Sequence, residues 1–358
     1  MTASIYQELC QTMSQRGGRY PARDIPEFYE LARVLFSPDE AAVANAQPRG
    51  FHPASAVAET MDRPESEVAA ILEQMADKGL CTAGNVGGTW FYGAPPFVPG
   101  IFEFQFMRGT STDRDRELAR LIHGYKSAFD KDFGPPFRKF PGERVISVDR
   151  KVQAGNRIHT FDQVASYIDS YDPIAVSTCF CRHEAELLNP EDSCGKPNEV
   201  CMMFGMSAQY LIDRRLGRKV DKAEAAEILN MAEEAGLVHC SLNSQEIDFL
   251  CNCCSCHCMI LGTALAQPKP ALLLHSRFQP VFDADLCTAC GTCVDRCPGD
   301  ALSLEDSGPP AIDMDRCFGC GVCATGCPSD AVELIERSGA EAPPENRKAL
   351  KDAISAAS

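Results

Sequence analysis

Two runs of cysteine constrain the C-terminal part of this chain more than any other feature. Residues 285–306 read DLCTACGTCVDRCPGDALSLED and residues 315–336 read DRCFGCGVCATGCPSDAVELIE, aligned without a gap at an offset of 30. Each contains C-x2-C-x2-C-x3-C-P, first as Cys287, Cys290, Cys293 and Cys297, then as Cys317, Cys320, Cys323 and Cys327. Three thiols at two-residue intervals wrap one face of a compact metal group, and the duplication calls for two such groups. Gly291 and Gly321 let the backbone turn tightly within each run and aim amides at the group. Pro298 and Pro328 block continuation of regular structure after the fourth cysteine. The segments ALSLED and AVELIE then alternate apolar and polar residues, as short half-buried strands do. Zinc also accepts paired C-x2-C spacings. Four cysteines per run, duplicated and closed by proline, argue against it. Gly319, Gly321 and Ala324 happen to satisfy G-x-G-x-x-A, but cysteines fill the gaps and no βαβ unit surrounds them, so that match is accidental.

The duplicated pattern resembles the bacterial-type ferredoxin with two 4Fe–4S clusters, and the match covers both halves of that fold. The resemblance implies crossed ligation, the fourth cysteine of each run serving the other cluster. Cys287, Cys290, Cys293 and Cys327 would hold one cluster, and Cys317, Cys320, Cys323 and Cys297 the second.

The chain has 20 cysteines in 358 residues, so twelve lie outside the repeat. The start, MTASIYQELC, shows no basic segment followed by an apolar run, so the sequence reads as cytoplasmic. Clustered thiols in a reducing compartment more often hold metal than form disulfides. Cys10, Cys81 and Cys240 stand alone and read as small packed hydrophobes. The other nine form two groups. IAVSTCFCRHEAELLNPEDSCGKPNEVCMMFG carries Cys179 and Cys181 after a buried strand at Ile174–Thr178, then Cys194, then Cys201 opening a helical stretch. FLCNCCSCHCMILG carries Cys251, Cys253, Cys254, Cys256 and Cys258. Between them EAAEILNMAEEAGLVH has helical periodicity. Loops and helix starts suit metal thiolates, because free amides there stabilise negative sulfur.

These nine cysteines are expected to hold at least one further iron–sulfur cluster, with Cys181, Cys194, Cys201 and one of Cys251–Cys258 as a four-thiolate set. Two clusters, one per group, also fit the count. A structural zinc site with His257 or His183 as nitrogen ligand is the alternative, and a redox-active disulfide in CNCCSCHC a third. Taken singly, His183, His239 and His257 read as packed or exposed. The order C-x-C-R, C-G-K-P, IDRRLGR, GLVH, CNCC resembles a group of ferredoxin fusions in anaerobic bacteria, over most of residues 100–338. That resemblance implies redox chemistry without naming a substrate.

The N-terminal third carries a winged-helix signature at residues 53–92. PASAVAETM and DRPESEVAAILEQMADKGL read as helices, and CTAGNVGGTWFY as a glycine-tipped hairpin. Asp62 is expected to cap the second helix with Pro64 in its first turn, and Val68, Ile71, Leu72, Met75 and Leu80 to form its apolar stripe. Residues 51–92 hold six acids against two bases, and the whole chain is at −16, which argues against binding nucleic acid. A scaffold or docking role suits this part better. APPFVPGIFEFQFMRG is expected to present an apolar face to another domain or subunit; its aromatics could also line a cofactor pocket, though core packing is their commoner fate. FGPPFRKFPGERVISVDRKV reads as a proline-rich connector before a strand, and the last 20 residues as an exposed polar tail with one short helix.

These readings give an α+β, multidomain chain: residues 1–100 a winged-helix-like module, 101–275 a mixed α/β cysteine-rich domain, 276–338 a two-cluster ferredoxin-like domain and 339–358 a tail. Nothing approaches a membrane-spanning apolar run. No radical S-adenosylmethionine triad, P-loop, G-x-S-x-G or H-E-x-x-H is present. The expected function is low-potential single-electron transfer to a partner oxidoreductase. An iron–sulfur oxidoreductase with a substrate-binding central metal site is the rival, and a redox-sensing regulator a further one. The sequence leaves the oligomeric state open.

Overall fold

Capping chemistry sets the helix starts of the N-terminal part. Ser4 with Gln7 heads α1 (Ile5–Arg16), and after α2 (Pro26–Leu35), Ser37 with Glu40 heads α3 (Pro38–Ala46), both as reciprocal capping boxes. β1 (Phe51–Pro53) leads to α4 (Ala54–Met61) and α5 (Glu65–Asp77), followed by the hairpin β2 (Thr82–Val86) and β3 (Thr89–Gly93). The three strands form an antiparallel sheet in the order β1-β3-β2, turning through Gly87 and Gly88. Then come α6 (Phe102–Phe106) and α7 (Asp113–Phe133), the latter capped by Thr112 with Asp115. The computed structural model describes residues 4–134, 140–148, 159–304 and 308–357.

The chain divides into two compact units, the first comprising Met1–Pro136, Phe180–Ser193 and Gln209–Arg218. Val68, Leu72, Met75 and Leu80 of the expected stripe are buried and Ile71 half-buried. The cap is different from the one expected. Asp62 sits at the C-terminal end of α4 in a left-handed conformation (φ 50°), and Pro64 occupies the N-cap of α5. Proline presets the entry dihedral and makes no side-chain cap, so Asp62 is freed to end the preceding helix. The aromatics of the Pro/Phe-rich stretch are core residues of this unit: Phe97 stacks on Phe102 at 4.6 Å, and both meet Tyr125 edge-on. Glu73 and Asp77 of α5 pair with Arg214 at 2.7 and 3.0 Å, so its acidic face is engaged within the unit.

The second unit comprises Phe137–Cys179, Cys194–Ala208 and Lys219–Ser358. Of the expected connector, residues 135–139 and 149–158 lie outside the described residues, and so do Glu305 and Asp306 of ALSLED. β4 (Glu143–Val145) is followed by α8 (Val164–Ser170) and β5 (Ile174–Thr178). Helix α9 (Phe180–Leu188) belongs to the first unit. β6 (Glu199–Phe204) leads into α10 (Gly205–Asp213), which passes into the first unit at Gln209, and β7 (Arg218–Val220), α11 (Lys222–Glu234), β8 (Val238–Leu242), β9 (Phe249–Cys253) and α12 (Met259–Leu265) complete the central part. Its strands form one sheet in the order β4-β8-β9-β6-β5-β7.

Alternation along these strands feeds two separate apolar clusters. Val176, Val200, Met202 and Leu250 pack with Ile168 of α8 and Ile228 and Leu229 of α11. Val145, Val238, Cys240 and Cys253 pack with Leu261 of α12 and with Phe318, Cys320 and Val322 of the second cysteine run. The central sheet and the duplicated segment thus share a core.

In that segment β10 (Phe278–Phe282) pairs antiparallel with β13 (Val332–Glu336), and β11 (Leu302–Ser303) with β12 (Ala311–Ile312). The short helices α13 (Thr292–Asp295) and α14 (Val322–Thr325) keep the sequence offset, each entered through a glycine, Gly291 at φ 80° and Gly321 at φ 85°. Arg296 donates to the Glu233 and Glu234 carbonyls at the end of α11, at 3.0 and 3.1 Å, where a cation complements the helix dipole. The tail is less exposed than its composition suggests. Gln245 bonds the Pro343 and Pro344 carbonyls, and α15 (Arg347–Ala357) buries Leu350 and pairs Arg347 with Asp248. Among the described residues no helix is long and apolar enough to cross a membrane.

One buried carboxylate gives the first unit a pH dependence. Glu103 accepts from the Gly100 amide at 2.8 Å, and burial pushes its carboxyl from 4.5 up to about 7. The folded state therefore keeps a proton that the unfolded chain releases, and stability falls as pH rises from 4.5 to about 7. Thermal unfolding across that range should show the fall, and Glu103→Gln should remove this contribution. An unchanged slope in the variant would contradict the assignment.

Candidate metal centres

The C-terminal thiols stand in two sets of different exposure. Cys317, Cys320 and Cys323 are buried, whereas Cys290 is exposed and Cys287 and Cys293 are half-buried. A cavity bounded by Cys297, Cys317, Cys320 and Cys323, with Pro280, Pro298 and Gly321 among its walls, brings the fourth thiol of the first run to the three of the second. Cys327 in turn acts electrostatically on Cys293. The two fourth cysteines are treated alike: the Ala301 amide donates to Cys297 Sγ and the Ala331 amide to Cys327 Sγ, both at 3.3 Å.

Burial raises the Cys317 thiol and pushes Cys320 up to about 12. The exposed Cys290 goes the other way, lowered by the Thr292 hydroxyl at 3.4 Å and the Thr292 amide. Four thiols around one cavity are a donor set that a multivalent cationic group satisfies, so the residues fit an iron–sulfur cluster. Arg337 supports the buried set from behind, bonding the Cys317 and Phe278 carbonyls at 2.7 Å each.

A second set lies on the central sheet. The register places Cys240 of β8 opposite Cys251 of β9. Met202 lies opposite Leu250, so Cys201 of β6 is the next cross-strand neighbour of Cys251. Cys253 follows Cys251 on the same face, and Cys258 caps α12 beside it. The thiols bond one another: Cys251 with Cys201, and Cys253 with Cys240, Cys251 and Cys258. The bond to Cys240 raises Cys253 above its ordinary value. For Cys251 the bond to Cys201 lowers the thiol, but the bond to Cys253 and burial outweigh it. Cys320 of the buried C-terminal set also acts on Cys240.

The third set is Cys194, Cys254, Cys256 and His257, whose donor atoms all lie within 4.8 Å of one another. Cys254 is buried, Cys194 and His257 half-buried and Cys256 exposed. Burial and contact with Cys254 and Cys194 push Cys256 up to about 12.

The central thiols are therefore grouped differently from the sequence expectation. Cys194 meets Cys254 and Cys256, while Cys201 meets Cys251. Cys201 lies within β6 and Cys251 and Cys253 within β9, not at helix starts or in loops, because EVCMMF and FLCNC alternate into a buried sheet. Cys179 follows β5 and packs on the cluster that contains Cys254, while Cys181 lies in α9 of the first unit. Cys240, expected to stand alone, joins the sheet thiols. Only the one-residue register between β8 and β9 signals it. His257 joins a donor set, whereas His239 is held by Asn252 at 2.6 Å and His183 contacts the Thr110 carbonyl at 2.7 Å. Among the described residues no cysteine is joined in a disulfide.

Residues 286–331 match the family described as a 4Fe-4S dicluster domain. No curated protein matches the chain. The matched segment spans both cysteine runs and gives this part of the protein iron–sulfur electron-transfer capacity.

Proposed function

We propose that the protein passes single low-potential electrons to a partner oxidoreductase. Two 4Fe–4S clusters would be held in crossed fashion, one by Cys287, Cys290, Cys293 and Cys327, the other by Cys317, Cys320, Cys323 and Cys297. A further iron–sulfur cluster would be held by four of Cys201, Cys240, Cys251, Cys253 and Cys258. In this reading residues 276–338 are the dicluster domain, 101–275 the central domain, and 1–100 a scaffold or docking module. When bound, a 4Fe–4S cluster supplies reversible one-electron chemistry.

The observation that carries the reading is contiguity. Cys320 packs in one apolar cluster with Cys240, Cys253 and Cys258, so the buried C-terminal thiols and the sheet thiols line a common water-poor core. Low dielectric there leaves the charge of each donor set to the groups that touch it, chiefly amides and neighbouring sulfurs. The exposed end is different. Asp283, Asp285, Asp295 and Asp300 are exposed around the first run, beside Leu286 at 50% exposure. That acidic rim around the accessible thiols suits a partner with a basic docking patch.

Iron and acid-labile sulfide on protein purified without oxygen test the cluster assignment. About twelve of each per chain are expected, and Cys251→Ser with Cys253→Ser should remove about four of each. About eight in the unaltered protein would confine iron–sulfur chemistry to the C-terminal runs and overturn the third cluster.

Docking has its own test. Reduction of a small basic redox protein should slow several-fold as salt rises from about 20 to about 200 mM. Asp285→Asn with Asp295→Asn should flatten that dependence. A salt-independent rate in the unaltered protein would remove the steering argument.

A further inference from the structure

The dipeptide Cys253–Cys254 lies where β9 ends, and its two thiols enter different cores. Cys253 packs with Cys240, Cys258 and Cys320. Cys254 packs with Val200, Met202 and Leu250, and Cys194 lies against that same cluster. Successive side chains of a strand point to opposite faces, so neighbouring cysteines at its end cannot both serve one compact group. The turn Ser255–His257 then brings two more donors to the Cys254 side, and Cys258 returns the chain to the other side. The segment CNCCSCHC is partitioned by pleat and turn into donors for two separate centres.

We propose that Cys194, Cys254, Cys256 and His257 bind a single divalent ion of the zinc class, distinct from any cluster on the sheet thiols. The four donor atoms lie within 4.8 Å of one another. Bonds of about 2.3 Å to sulfur give a tetrahedral ion edges of about 3.8 Å, so small rotamer changes close the set around one ion. What separates this set from the sheet thiols is its imidazole donor: a 4Fe–4S cluster is ordinarily held by four thiolates, whereas a single borderline ion takes nitrogen and sulfur together. Three sulfurs and one imidazole are a closed tetrahedral set, which marks a structural site and leaves no position for substrate. The ion would tie the segment around Cys194, ahead of β6, to the turn that follows β9. It would hold β9 in the register that aligns Cys251 with Cys240.

The test uses the full chain, produced with both iron and zinc supplied and purified without oxygen. About one zinc per chain is expected, with X-ray absorption at the zinc edge showing three sulfurs and one nitrogen. Cys256→Ser with His257→Ala should lose the zinc while acid-labile sulfide stays unchanged. His257→Cys, which preserves a tetrahedral set, should keep the zinc and shift its shell to four sulfurs. Three results would overturn the proposal: absence of zinc from the unaltered protein, an oxygen-rich shell, or loss of sulfide instead of zinc in the double variant. Sulfide loss would assign this set to an iron–sulfur cluster. Failure of the electron-transfer reading is seen separately, in the iron count of the unaltered protein.

Discussion

The pleat of β9 is the constraint that sorts the central thiols of the second unit into two groups. One strand sends Cys251 and Cys253 to the face shared with Cys240, Cys201 and Cys320, and the next residue, Cys254, to the opposite side with Cys194. A one-residue slip would exchange the two faces and scatter both donor sets. The register is held by more than backbone bonds. Asn252, between the two thiols, bonds the Val200 carbonyl at 2.6 Å and His239 at 2.6 Å, fixing β9 against both neighbours.

Burial does the rest. A thiol carried into an apolar core resists ionisation, and Cys320, Cys323, Cys251 and Cys253 all lie above the ordinary thiol range. Buried groups of this kind gain most when a cationic metal group takes the place of their protons. Near the surface the first run has Cys290 lowered by hydrogen bonds from Thr292. The thiols thus run from exposed sulfur in the first run to buried sulfur packed against the sheet in the second.

How much of this was legible in the sequence follows from how local each signal is. The eight C-terminal thiols, the glycines at 291 and 321 and the two short helices at an offset of 30 are written in contiguous spacing. Crossed pairing rests on the family resemblance alone; the structure adds that Cys297 lines one cavity with Cys317, Cys320 and Cys323. The helices at 54–61 and 65–77 and their hairpin were also readable, since their periodicity and turn glycines are local. Cys240 was not, because its partners are Cys251 and Cys253, reached only through strand pairing. Cys201 was misread as a helix opener because EVCMMF runs straight into α10, and an apolar run carries no period to separate strand from helix. Asp62 lies between two helices only three residues apart, so local sequence suits it to capping either, and the structure uses it to end α4.

The central claim is that the sheet thiols hold a redox group coupled to the C-terminal pair. Electron paramagnetic resonance of the protein reduced stepwise without oxygen tests it most directly. The account predicts about three spins per chain at full reduction, with spin–spin splitting that disappears in part when Cys251 and Cys253 are replaced by serine. A spectrum that integrates to about two spins, and is the same in that variant, would contradict it.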